Sequence, residues 1–164
     1  MQHLKGLRPF LWFDHQAEEA AEFYCGIFPS SKITQITHYG NEGQEAHGRK
    51  PGSVMTVLFE LDGRPFTALN GGPHYKFTEA VSFMIDCRDQ QEVDYYTGKL
   101  TAGGGEQGPC GWLKDKYGLS WQITPGVLLE MLNDSDRKKA DRVLRAMLQM
   151  HKIDVAKLQE AYNG

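Results

Sequence analysis

At 164 residues, 40% hydrophobic and 24% charged, the chain has the length and balance of one ordinary globular domain and not of a disordered tail. Its net charge of -3, with no basic tail or basic-aromatic stripe, argues against nucleic acid as a partner, because neutralising phosphates needs clustered Lys and Arg. No apolar run approaches the roughly 18 residues that cross a bilayer, Met1 to Gly6 does not read as a signal peptide, and three cysteines without CxxC spacing (Cys25, Cys87, Cys110) fit free thiols in a reducing cytoplasm.

Leu7 to Phe13 is an apolar and aromatic run that predicts a strand. After Asp14 the period changes. Ala17, Ala20, Ala21, Tyr24, Ile27 and Phe28 recur at helical spacing along one face, and Pro29-Ser30-Ser31 stops that helix. Lys32 to Tyr39 alternates β-branched and polar residues as a strand does. Val54 to Leu61 and Pro65 to Leu69 are two further strands, joined at Asp62-Gly63, a strong hairpin signal. The order then recurs. Val81 to Ile85 predicts a strand and Gln90 to Leu100 a helix, with Asp89 as N-cap, Glu92 completing a capping box and Gly103-Gly104-Gly105 ending it. Gly111 to Lys116 and Leu119 to Thr124 are the closing strands, joined across Gly118.

The two halves can be laid residue on residue. Phe13-Asp14 with Glu22-Phe23-Tyr24-Cys25-Gly26 matches Ile85-Asp86 with Asp94-Tyr95-Tyr96-Thr97-Gly98, a shift of 72 from Asp14 to Asp86. Asp62-Gly63 lies on Tyr117-Gly118, a shift of 55 from Gly63 to Gly118. The second copy is thus 17 residues shorter (72 − 55), and the loop Gly40 to Gly52 is the expected place of the difference. Such self-similarity marks a duplicated βαβββ module and an α+β fold.

Beyond Pro125 the chain is helical. Val127 to Leu132 predicts a short helix, and Ser135 or Asp134 caps a longer one with the stripe Ala140, Val143, Leu144, Met147, Leu148 and His151. Ile153 to Ala161 adds a last amphipathic turn or two. The chain reads as one domain over 1–164: module one about 5–73, module two about 77–125, and a helical appendage about 126–164. Arg137-Lys138-Lys139 with Arg142 and Arg145 reads as a solvated helix face. Met131, Met147 and Met150 with Leu144 and Leu148 read as core or as a dimer seam, so a homodimer is expected.

Cys110 to Pro125 resembles the final hairpin of the glyoxalase, bleomycin-resistance and extradiol-dioxygenase superfamily, the vicinal-oxygen-chelate proteins. Asp115 and Gly118 hold the turn, and Gln122 falls where those proteins carry a ligand Glu. Leu11 to Tyr24, Phe28 to Ile33, Ala68 to Pro73 and Phe77 to Asp86 are similar to the PhnB-like group, one branch of which is described as 3-demethylubiquinone 3-methyltransferase. The resemblance implies one curved sheet and one concave cavity per module. It also implies four metal-ligand positions, one on the first and last strand of each module. The internal shifts place these at Phe10, Thr67, Ser82 and Gln122. A phenyl ring, two hydroxyls and an amide are poor ligands for zinc, iron or manganese, so neither metal nor other cofactor is expected.

The candidates for a catalytic role are Cys110, His74 and His47, each set against a bland reading as a half-buried thiol or a solvated loop histidine. The other histidines (His3, His15, His38, His151) show no HxH or HxxxH spacing. Trp12, Trp112 and Trp121 read either as core or as walls for a flat apolar ligand; the expected binding set is Phe10, Trp12, Thr67, Asn70, Ser82, Trp112, Lys114 and Gln122. No Gly-rich strand-to-helix turn is present, which leaves a Rossmann-type S-adenosylmethionine site without support. The leading expectation is a metal-independent binder of a small aromatic or hydrophobic molecule. The alternative is an enzyme of the methyltransferase-described group that uses Cys110, His74 or His47.

Overall fold

The computed structural model describes residues 6–164, so His3 lies outside the described residues. The chain divides into two compact units between Lys76 and Phe77.

In the first unit, alternation of apolar and polar residues turns one face of each strand inward. The unit comprises β1 (Phe10–Phe13), α1 (Ala17–Ile27), β2 (Lys32–His38), α2 (Gln44–His47), β3 (Val54–Leu61) and β4 (Arg64–Asn70). The sheet order is β1-β4-β3-β2, with β1 parallel to β4 and the other pairs antiparallel. Leu11, Phe13, Val57, Phe59, Leu61, Phe66 and Ala68 form the buried face, against which α1 lays Ala17, Ala20, Ala21, Tyr24 and Ile27. Three alanines let the helix approach closely, and Tyr24 stacks on Phe59, which stacks on Phe66. Burying each large side chain contributes about 1.5–3 kcal/mol. Asp62 and Gly63 both take positive φ, 49° and 73°, the two-residue turn that matches strand twist.

The second unit repeats the path: β5 (Ser82–Cys87), α3 (Gln90–Thr101), β6 (Glu106–Gln107), β7 (Trp112–Lys114) and β8 (Ser120–Pro125), in the order β5-β8-β7-β6. β5 is parallel to β8. The Asp89 carboxylate accepts the Glu92 N–H at 3.0 Å, while Glu92 reaches back to the Arg88 N–H at 2.7 Å, one residue beyond the usual box. Val93 and Leu100 of α3 are buried, as are Leu113, Trp121 and Ile123 of the strands. The closing hairpin is braced by Asp115, 2% exposed, whose carboxylate accepts the N–H groups of Tyr117 and Leu119 and the Trp121 indole N–H.

Helices α4 (Gly126–Leu132), α5 (Arg137–Met147) and α6 (Val155–Asn163) follow. Asp154 caps α6. The intervening segment docks on α3, where Gln90 pairs with Ile153 and Val155 and Lys152 meets Asp94. The architecture is α+β, two βαβββ modules with C-terminal helices.

Several boundaries differ from the sequence expectation. The first strand begins at Phe10, and Leu7 is fully exposed. The first-copy loop contains α2, and the shorter second copy is only partly explained by that loop. β6 and β7 span 2 and 3 residues where β2 and β3 span 7 and 8. The N-cap of α5 is Asp136, which accepts from Lys138 and Lys139, in place of Ser135 or Asp134. Asp134 instead holds the Asp136 N–H and the Tyr162 hydroxyl. Of the expected stripe, Ala140 and Val143 are buried, whereas Leu144 and Leu148 are exposed. Arg142 donates to the carbonyls of Ala161 and Tyr162, placing a cation on the negative end of α6, so the expected solvated basic face is incomplete.

Candidate functional site

Each sheet has one face filled with the apolar residues of its module's core and one open face, and the period of two decides which side chains reach the open one. In the first sheet it carries exposed Phe10 and half-buried Trp12, whose ladder partners are Thr67 and Leu69. In the second it carries two cross-strand rows, Ser82–Ser120–Lys114–Glu106 and Met84–Gln122–Trp112.

The register differs between the copies. Thr67 stands opposite Phe10, but Ser120 stands opposite Ser82, and Gln122 lies two residues farther along, opposite Met84. The 55-residue shift therefore overshoots on β8 while keeping the correct face. The cause is a shorter hairpin end: Arg64, Pro65 and Phe66 separate Gly63 from Thr67, whereas Leu119 alone separates Gly118 from Ser120.

In the first module the open-face side chains are held by neighbours. The Trp12 indole N–H donates to the Gly72 carbonyl at 2.8 Å and its ring meets Tyr75 edge-on at 4.9 Å. A Cβ at Gly71 would fall 2.3 Å from that ring. Asn70, 7% exposed, accepts the Ala17 N–H at 2.8 Å and donates to the Val54 carbonyl at 3.0 Å, so its amide is engaged at both ends. His47 packs on Tyr39 at 4.5 Å; its Nδ1 accepts the Arg49 N–H and its Nε2 lies 3.2 Å from the Glu42 carbonyl. His74 is exposed on the segment after β4. A polar recess of about 230 Å³ lies by Arg49, His15, Glu18 and Asn70. The Arg49 guanidinium, 3.2 Å from Asp14, holds that carboxyl below the usual carboxylate range; burial opposes this and His15 adds to it.

The second module has a cavity of about 470 Å³, lined by Glu79, Glu106, Gln107, Gly108, Pro109, Trp112, Leu113, Lys114 and Ser120. The Gln107 Nε2 donates to the carbonyls of Gly108 and Trp112, at 3.1 and 2.8 Å. Two carbonyl acceptors fix which way the amide points, because the reverse orientation would set oxygen against oxygen. Gln107 Oε1 is thereby left buried without a partner, and so is the Oγ of Ser120, which is 1% exposed. Among the described residues these are the two buried side-chain atoms without a hydrogen bond, and both belong to residues lining this cavity. Lys114 pairs with Glu79; the contact holds the ammonium above its ordinary range and the carboxyl below its own. Gln122 donates to the Ser82 hydroxyl at 2.8 Å.

Cys110 begins this hairpin, half-buried and with a φ of 55°, its N–H given to the Met150 carbonyl. Cys87 is buried, and burial, reinforced by Glu92, Asp86 and Asp89, pushes its thiol up to about 12. The structure thus brings Trp112 and Lys114 to one cavity with Ser120, Gln107 and Glu79, three residues that sequence reasoning missed. Pairing β5 with β8 would have found Ser120. Gln107 sits in a two-residue strand with no periodic signal, and Glu79 in a connecting segment.

The family model described as 3-demethylubiquinone-9 3-methyltransferase matches residues 5–124. The chain belongs to this family. A PhnB protein from Bacillus cereus with the same family description is 32% identical, covering 74% of this chain and 100% of its own, with a TM-score of 0.63. Protein PA1353 from Pseudomonas aeruginosa is 15% identical over 73% of this chain and 96% of its own, with a TM-score of 0.58. A fosfomycin resistance protein, FosX, from Listeria monocytogenes is 19% identical over 80% and 99%, with a TM-score of 0.52. The latter two show the shared fold. None of the curated proteins matches the chain. The PhnB description of the Bacillus cereus protein agrees with the PhnB-like resemblance read from the sequence.

The metal that the vicinal-oxygen-chelate resemblance implies does not fit the residues present in this chain. Phe10, Thr67, Ser82 and Gln122, with Ser120 taking the place of Gln122 in the observed register, offer a phenyl ring, hydroxyls and an amide. Such sites need imidazole, carboxylate or thiolate. Among the described residues no group of three or more His, Cys, Asp or Glu side chains is placed to hold an ion. Among them, too, no helix is long and apolar enough to cross a membrane.

Proposed function

We propose that this PhnB-like protein binds a small, flat, largely apolar molecule in the cavity of its second module, without a metal. The observation that carries the reading is one concave space of about 470 Å³ lined by Trp112, Pro109 and Ser120, whose buried hydroxyl lacks a partner. Small-molecule sites are typically about 300–1,000 Å³, mostly apolar, with a few placed polar groups. A buried polar atom left unsatisfied costs about 1–3 kcal/mol, so its retention favours a role in which a bound molecule completes it. Trp112 supplies an aromatic wall and Ser120 a point of orientation.

The full-length protein, dialysed against EDTA, is titrated with 2-naphthol and followed by saturation-transfer NMR. Saturable binding is expected, weakened at least about ten-fold by Trp112→Ala, as for the loss of one aromatic contact of about 1.5 kcal/mol. Binding that appears only after zinc or manganese is added, or that ignores Trp112→Ala, would sink the reading. S-adenosylmethionine, titrated in parallel, tests the methyl-transfer activity named in the family description.

A further inference from the structure

We propose that His47 is an acid-operated latch: protonation of its imidazole frees the Arg49 arm of the loop between β2 and β3 and uncovers the polar recess of the first module. The device lies wholly in that module and does not depend on the binding proposed for the second.

A chain of contacts from Tyr39 to Asp14 holds the loop down. The His47 ring packs on the Tyr39 ring at 4.5 Å, and Tyr39 is itself fixed by its hydroxyl, which donates to the Asn70 carbonyl at 2.7 Å. The Arg49 backbone N–H, 3.0 Å from His47 Nδ1, can only donate, so that nitrogen must be the acceptor. The ring proton then sits on Nε2, which faces the Glu42 carbonyl at 3.2 Å. Both contacts demand the neutral imidazole in one tautomer. The Arg49 guanidinium donates onward to the Asp14 carbonyl at 2.9 Å and to its carboxylate at 3.2 Å. It passes close beside Gly72, where a Cβ would fall 2.7 Å from Nη2. Arg49 also lines the recess of about 230 Å³ with His15, Glu18 and Asn70.

Protonation puts an N–H on Nδ1, so two donors face each other where one bond stood. It also adds a positive charge two residues from the guanidinium, and like charges repel. The Tyr39 ring attracts an imidazolium, but that contact holds the ring and does not restore the acceptor lost to Arg49. Glu42 faces the ring through its backbone carbonyl, which suits either charge state, and Glu45 stands on the same short turn. What gives way is Gly48 to Lys50, with left-handed glycines to pivot on at Gly48 (φ 65°) and Gly52 (φ 83°). Histidine changes charge between about pH 5 and 8. Asp14, held below the usual carboxylate range by the Arg49 guanidinium, stays ionised there. His15, 3.5 Å from the Asp14 carboxylate, is the other group on the recess able to take a proton in that window.

In the full chain, 15N order parameters of the Gly48, Arg49 and Lys50 amides are measured at about pH 7.5 and about pH 5, the window in which histidine titrates. They are expected to fall from about 0.85 to below about 0.6, in step with the His47 Nδ1 chemical shift, while Leu58 and Ala68 in the sheet stay rigid. His47→Phe keeps a ring against Tyr39 but offers no acceptor, so the segment should be mobile at both pH values. His15→Gln should leave the acid-induced fall intact. Order parameters that stay high in acid, a fall that follows the His15 ring instead of His47, or a segment as ordered in His47→Phe at neutral pH as in the wild type would overturn the latch.

Discussion

Trp12 and Trp112 both stand on the open face of their sheets, and their surroundings diverge. Trp12 is bonded to the Gly72 carbonyl, lies over Gly71 and is met by Tyr75, while the nearby Asn70 amide closes on the start of α1. Trp112 lines a cavity together with Ser120, whose buried hydroxyl lacks a partner. The strands explain much of the contrast. In the first module β2 and β3 run 7 and 8 residues and continue the sheet, whereas β6 and β7, at 2 and 3 residues, leave space beside the last rung. Duplicated modules can thus divide labour, one satisfied internally and the other left incomplete.

The comparison breaks most directly at the braces. Asp115→Ala removes the acceptor of three buried or half-buried N–H groups and should cost about 3 kcal/mol or more, read as a lower denaturation midpoint with loss of probe binding in the second module. Asn70→Ala in the first module strands the Ala17 N–H and the Val54 carbonyl. It should cost about 2 kcal/mol while leaving the second-module cavity able to bind. If Asn70→Ala abolished probe binding and Asp115→Ala did not, the division between modules would be wrong. Ser120→Ala should move stability in the opposite sense, by zero to about +1 kcal/mol in thermal unfolding, because an unpartnered hydroxyl is removed.

The smallest expected effect is on pH. The Lys152 ammonium and then the Gln90 amide hold the Asp94 carboxyl below its ordinary 3.8. A depressed carboxyl contributes stability that is fully present above its unfolded value and fades as pH falls through the folded one. Docking of residues 150–155 on α3 should therefore loosen below about pH 3.8. The amide shifts of α6 should follow the change, and Lys152→Met should reduce this pH-dependent component to the part that the Gln90 amide supplies.

The sequence made the α+β class, the duplication and most element positions legible because helical and strand periods, caps and Asp-Gly turns are local signals. Asp89, Asp62-Gly63 and the Ala17 to Ile27 face are examples. Legibility failed where structure depends on pairing between distant strands. Gln122 and Ser120 have the same orientation, and only the register against β5 decides which of them faces Ser82. A two-residue slip leaves the alternation of apolar and polar residues unchanged, so the hydrophobic pattern could not detect it. The partners of Asn70, Arg142 and Gln107 are likewise tertiary, and no spacing in the chain announces them.

The Asn70 bracket has a consequence for the order in which the first module forms. Helix α1 has 11 residues, short enough to be marginal as an isolated segment, and its N-cap residue, Gln16, makes no side-chain capping bond. Its first N–H is satisfied by a side chain 53 positions away, at the end of β4. The nascent helix should fray until β4 has docked beside β1, and the same event ties the entry of β3 through Val54. Helix completion and sheet closure then become one cooperative step, governed by the slow search for a distant contact and not by local coil-to-helix kinetics.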